Sequence, residues 1–225
     1  MTEPDKPTAA NSGAHATPSA PASPTIYLVA AHPHWERSRV NRQLLQAAQS
    51  QPQVQVCDLF GRYPDYAIDV AREQQALVAT QLVVLLHPVQ WYSMPALLKL
   101  WLDEVLVLHW AYGAKHVLRG KDLWLVASTG GSEHSYHPQG YNRYFFDAFL
   151  PPYEQTAALC GMRFLPPMVL HGAHAASDSA VAEHVATFAE RLQTYPNWPE
   201  LEELEQCPAC EVPGSDRPSE AQETP

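Results

Sequence analysis

The sequence lacks any apolar run approaching the roughly 18 residues that a membrane-spanning helix needs, so no span is expected. No basic region followed by an apolar stretch stands near Met1, so no secretory leader is expected either. Cysteine is scarce. The four residues Cys57, Cys160, Cys207 and Cys210 are too few for a disulfide scaffold and fit reduced thiols in a cytoplasmic protein. Positive charge is scarce too: 14 Lys and Arg face 24 Asp and Glu, for a formal charge of −10. That balance argues against a nucleic-acid partner, because binding phosphates relies on Lys and Arg. The dinucleotide fingerprint G-x-G-x-x-G is missing, which disfavours a Rossmann-type cofactor site. H-E-x-x-H is missing as well. The pairs His32/His34, His134/His137 and His171/His174 do not complete a coordination shell, so no metal is expected. Cys207-Pro208-Ala209-Cys210 forms a C-x-x-C without a second pair to complete a zinc site. It sits in an acidic tail rather than at the start of a helix, and reads as two tail thiols, with a zinc clip across a dimer as the other reading.

What the sequence does have is a 46% hydrophobic composition and a length suited to one α/β domain with tails. Residues 1–24, rich in Pro, Ala, Ser and Thr, read as a disordered arm. The folded domain is expected over residues 25–195, and residues 196–225 form an acidic, Pro-rich tail. Five short apolar runs are expected as strands: 25–31, 54–58, 82–87, 123–127 and, after two prolines, an edge strand at 168–170. Helical patterns alternate with them at 38–49, 69–79, 95–107, 152–160 and 177–192, with Ser38 capping the first and Gly161 ending the fourth. Alternation of this kind implies a parallel sheet with right-handed crossovers. Ligands in such sheets bind beyond the strand carboxyl ends, which nominates the loops after strands one, three and four.

The first loop, His32 to Asn41, brings hydroxyl, amide and guanidinium groups to a helix N-terminus, where free amides and the dipole attract phosphate. An ordinary capped helix would look the same. The second, His87 to Pro95, places Trp91 and Tyr92 after a buried strand, suited to border a flat ring or simply to pack under the next helix. The third, Ser128-Thr129-Gly130-Gly131-Ser132-Glu133, has paired glycines whose amides can form an anion-binding concavity, or a plain turn.

Taken together the loops are far more specific. "AHP" with Ser38 and Asn41, "HPVQWYSMPALLKLWLDEVL", "WAYG", "LRGK" and "STGG" resemble the flavodoxin-like NAD(P)H:quinone oxidoreductases, and among these the ancillary quinone-reductase subunits of glutathione-regulated potassium-efflux (Kef) systems. The resemblance covers about residues 26–192. It implies an α/β, flavodoxin-like three-layer sandwich on a five-stranded parallel sheet, one FMN per subunit, and a homodimer with the site at its interface. It implies ping-pong, two-electron reduction of a quinone with NADPH or NADH as donor. By the same resemblance, His32, Ser38, Arg39, Val40 and Asn41 hold the phosphate and ribityl chain. Val89, Gln90, Trp91 and Tyr92 line the isoalloxazine, and Ser128, Thr129, Gly130 and Gly131 bond its polar edge. No catalytic side chain is assigned; Tyr112, His116, His134, Tyr136 and His137 are candidates for proton supply that packing roles also explain. A membrane potassium-efflux antiporter is the implied partner. The competing functional reading is a flavin-binding regulatory subunit without turnover, and a one-electron flavodoxin stands third.

Overall fold

Continuous apolar runs become strands covered on both faces, and amphipathic stretches become the helices that cover them. The computed structural model describes residues 25–204. In chain order the elements are β1 (Ile26–Ala30), α1 (Val40–Gln49), β2 (Val54–Asp58), α2 (Leu59–Arg62), α3 (Val70–Val78), β3 (Leu82–Pro88), α4 (Ala96–Val105), β4 (Asp122–Ser128), α5 (Pro151–Leu159), β5 (Arg163–Leu170) and α6 (Asp178–Thr194). The five strands form one parallel sheet in the order β2-β1-β3-β4-β5, which is the flavodoxin-like arrangement.

Strand alternation divides the core into two layers. Ile26, Leu28, Val84, Leu86 and Val126 face one side, against Leu44 of α1 and Val181, Phe188 and Leu192 of α6. Tyr27, Val29, Leu85 and Leu125 face the other, against Leu77 of α3, Leu97 and Trp101 of α4, and Tyr153 of α5. Each large apolar side chain removed from water in this way contributes about 1.5–3 kcal/mol.

Three details differ from the sequence reading. β5 begins at Arg163 and runs through Pro166 and Pro167, with a register shift against β4 between Trp124 and Val126. An edge strand tolerates proline there because one side of its ladder is free. Packing also continues past Tyr195: Trp198 sits edge-on to Trp124, with ring centroids 4.9 Å apart, and Leu201 is buried in the same layer. Finally, the short helix α2 follows β2 directly, capped by Asp58, whose carboxylate accepts from the Gly61 amide. The expectations for residues 1–24, for the tail beyond residue 204 and for Cys207 and Cys210 lie outside the described residues.

Candidate functional site

After β1 the chain crosses to β2 on one side, and after β3, the neighbour of β1 on the other side, it crosses away to β4. The loops after β1 and β3 therefore diverge and open a crevice at the carboxyl edge of the sheet. A cavity of about 440 Å³ lies there, within the range of small-molecule sites. All three nominated loops reach it: His32, Ser38, Arg39, Val40 and Asn41 from the first, Val89 and Gln90 from the second, and Ser128, Thr129 and Gly130 from the third.

Its lining carries basic side chains, and the carboxylates that pair with them, Glu36 with Arg37 at 3.8 Å and Asp178 with Arg39 at 2.5 Å, lie just outside it. Two arginines (Arg37 and Arg39) and three histidines (His32, His34 and His174) line it, and no Asp or Glu does. At the start of α1 the amides of Arg39, Val40 and Asn41 have no acceptor among the described residues, while the Arg42 amide donates to Ser38 Oγ at 3.2 Å. Asn41 is 2% exposed and its Nδ2 donates to Ser128 Oγ at 2.9 Å. Its Oδ1 is buried and has no partner. A buried acceptor left open costs free energy unless a ligand supplies a donor. The Gly130 and Gly131 amides also lack acceptors among the described residues.

Individual expectations fare differently. The Arg39 guanidinium borders the cavity but is engaged with the Ala176 carbonyl at 2.6 Å and the Asp178 carboxylate at 2.5 Å. Trp91 and Tyr92 do not line the cavity. They form an exposed turn at its edge, with the Gln90 amide donating to the Ser93 carbonyl at 2.9 Å and the Ser93 amide donating back at 3.1 Å. Gly131 is not a cavity wall either. A Cβ there would lie 2.6 Å from Ser135 Oγ and 2.7 Å from the Tyr141 hydroxyl, so a side chain would displace these two hydroxyls of the following loop. Gly130 does face the cavity, beneath the His174 ring.

His32 Nδ1 accepts from the His34 amide at 3.0 Å, which leaves its ring proton on Nε2. Burial and the neighbouring His34 lower its basicity, opposed by Glu36 and Asp58. Among the five proton candidates none lines the cavity; Tyr136 approaches it only through His171, which is beside the lining residue Thr129. Tyr136 is buried and packs against His171, whose Nδ1 is 3.1 Å from Thr129 Oγ1. Burial pushes the Tyr136 phenol up, opposed by the nearby Thr129 hydroxyl. Ala173 and His174, from the loop after β5, are wall residues that sequence reasoning missed. The His171/His174 pair was visible, but only the sheet order shows that this loop closes over Gly130. Among the described residues no group of three or more His, Cys, Asp or Glu is arranged to hold a metal, and no helix is long and apolar enough to cross a membrane.

A doubly wound parallel sheet with an anion-attracting crevice at its switch point defines the class. The chain belongs to the flavodoxin-like family, whose model matches residues 24–194. It is 42% identical over 172 residues to the glutathione-regulated potassium-efflux system ancillary protein KefG of Yersinia enterocolitica, covering 76% of this chain and 94% of that protein. General stress protein 14 of Treponema denticola, solved in complex with FMN, superposes with a TM-score of 0.68 at 32% identity, covering 76% of this chain and 97% of that one. An NADPH-quinone reductase of P. pentosaceus superposes with a TM-score of 0.68 at 26% identity, covering 74% and 96%.

Proposed function

We propose that this chain binds FMN in the crevice and reduces quinones by two electrons at the expense of NADPH or NADH, as an ancillary subunit of a Kef-type potassium-efflux antiporter. The observation that carries this reading is the cavity itself. Unpaired amides at the start of α1 and at Gly130 and one orphaned buried acceptor meet at the carboxyl edge of the sheet, beside two arginines whose partner carboxylates, Glu36 and Asp178, stay outside the lining. FMN fits that donor set. Its phosphate suits the α1 amides with Ser38 and Arg37, and a ribityl hydroxyl supplies the donor that Asn41 Oδ1 lacks. The electron-rich pyrimidine edge of its ring suits the amides of Gly130 and Gly131.

The chemistry that FMN supplies when bound is two-electron transfer between a reduced nicotinamide and a quinone. The chain's own residues do the rest. Val89, Gln90 and Thr129 form the wall against which a flat ring is held, and amides at Gly130 and Gly131 favour negative charge at its edge. The Tyr136 hydroxyl, kept protonated by its burial, can hold a proton beside Thr129. Trp91, 93% exposed, with Tyr144 and Phe145, supports a homodimer that shields this edge from water. Similarity to KefG supports docking on an antiporter from the cytoplasmic side.

The test is steady-state turnover with NADPH or NADH and a benzoquinone, for which parallel double-reciprocal lines are expected. Bound FMN without turnover would favour the regulatory-subunit reading, which the similarity to an ancillary protein supports. A blue semiquinone stable on titration would favour the one-electron carrier.

A further inference from the structure

Trp91 and Tyr92 occupy the two central positions of a tight turn with φ of 47° and 66°, a left-handed geometry that glycine and asparagine ordinarily supply. Two bulky aromatics in succession hold it only if the surroundings over-determine the turn. The Val89, Gln90 and Ser93 amides are all consumed in fixing it, on Ser128, Ser93 and Gln90 carbonyls respectively. The Trp91 and Tyr92 amides are left without an acceptor among the described residues.

Two braces hold the turn, and both come from one segment, Phe146 to Leu159. Above it, Tyr92 stacks on Phe149, with centroids 5.3 Å apart at 22°. Below it lies His87, the last fully buried residue of β3. Its Nδ1 is 2.9 Å from the Pro88 carbonyl oxygen, and its Nε2 is 3.2 Å from the Tyr153 hydroxyl. A carbonyl only accepts, so Nδ1 carries the proton and Nε2 accepts from Tyr153. The rings also stack, 5.8 Å apart at 15°. Burial lowers the imidazole pKa to about 4, so the ring stays neutral and this tautomer persists at neutral pH.

We propose that His87 and Tyr153 are a positioning pair: through the Pro88 carbonyl they lock the end of β3, and so hold the Gln90–Ser93 turn in its left-handed form with two free amides available to the flavin. The flavin is part of the function proposed above, and the pair's hold on the turn is separable from it. Neither side chain lines the cavity. Both act through backbone, and the segment that braces the turn also carries the Phe146 and Phe149 rings packed on Tyr136. Flavin affinity and the order of the loop after β4 thus become linked through α5.

The test compares the intact chain with His87→Phe, which keeps ring volume but loses both nitrogens, with His87→Asn, which keeps a donor in the place of Nδ1, and with Tyr153→Phe. Amide exchange of Val89, Gln90 and Ser93 is read by NMR in flavin-free protein, and FMN affinity by fluorescence quenching. In His87→Phe these three amides lose nearly all their protection, because a turn competent only about one-tenth of the time leaves them open, while β1 amides do not change. FMN affinity then falls about tenfold, in proportion to the population of the competent turn. His87→Asn restores both, and Tyr153→Phe gives a smaller change at the same amides. Unchanged exchange and affinity in His87→Phe would overturn the proposal, as would faster exchange spread evenly over the sheet or a failure of His87→Asn to rescue. Should His87→Phe not fold, Tyr153→Phe decides by the same local pattern. If the wild-type chain binds no FMN, the functional reading fails, whereas the exchange measurement still decides whether the pair holds the turn.

Discussion

Two buried polar side chains in this molecule have opposite fates. Glu73, fully buried on α3, accepts from Tyr63 Oη at 2.6 Å, Tyr27 Oη at 2.7 Å, Trp101 Nε1 at 2.9 Å and Arg62 Nη1 at 3.0 Å. Asn41, equally buried on α1, spends its amide nitrogen on Ser128 and leaves its oxygen open. Burial alone would push the Glu73 carboxyl up, yet the four donors outweigh it and hold the group below the usual carboxylate range. A saturated buried charge ties α2, α3 and α4 to β1. An unsaturated buried amide at the switch point waits for a ligand. Among the described residues four buried side-chain polar atoms lack a partner, and of these only Asn41 Oδ1 belongs to a residue that lines the cavity.

The comparison is broken most forcefully at the scaffold end. Glu73→Gln removes the charge that Arg62 and two phenols enclose, and is expected to cost about 3–5 kcal/mol of stability in urea unfolding. The wild type carries the matching pH signature. A carboxyl whose folded pKa is depressed contributes stability that is complete above the unfolded carboxyl pKa of about 4.3, and that is lost as pH falls below it. Glu73→Gln should flatten that acid limb; an unchanged limb would mean that Glu73 is not the group responsible.

At the site end the effect is smaller and of a different kind. Asn41→Ala should weaken FMN binding by about 1–3 kcal/mol, roughly 5- to 150-fold, by fluorescence titration. The flavin-free protein should lose no more than about 1 kcal/mol, since the mutation removes one bond together with one unsatisfied acceptor. Equal losses of stability and affinity would erase the distinction between site and scaffold. The smallest change is expected from Asp178→Ala. Asp178 is fully exposed and holds the Arg39 guanidinium away from the anion, so its removal should tighten FMN binding a few-fold at low salt and negligibly at high salt.

Much of this was legible from sequence because buried parallel strands announce themselves as unbroken apolar runs. β1 and β3 are buried along nearly their whole length, and the strand-end rule then led to the crevice. What local pattern could not show depends on distant neighbours. Pro166 and Pro167 suppress a strand signal that the free edge of β5 and its register shift allow. Trp198 and Leu201 lie in a segment whose acidic, Pro-rich composition hides the Trp124 and Phe188 surface they cover. His174 reaches the site only because β5 lies beside β4. The left-handed turn at Trp91 and Tyr92 defies residue preference, so its exposure was not foreseeable from aromatic character.

The central claim is tested most directly by titrating the flavin-free chain with FMN and, separately, with riboflavin. A crevice built around α1 amides and cationic side chains predicts one FMN per chain, bound at least about 100-fold more tightly than the unphosphorylated flavin. Equal affinity for the two, or no binding of either, would contradict it.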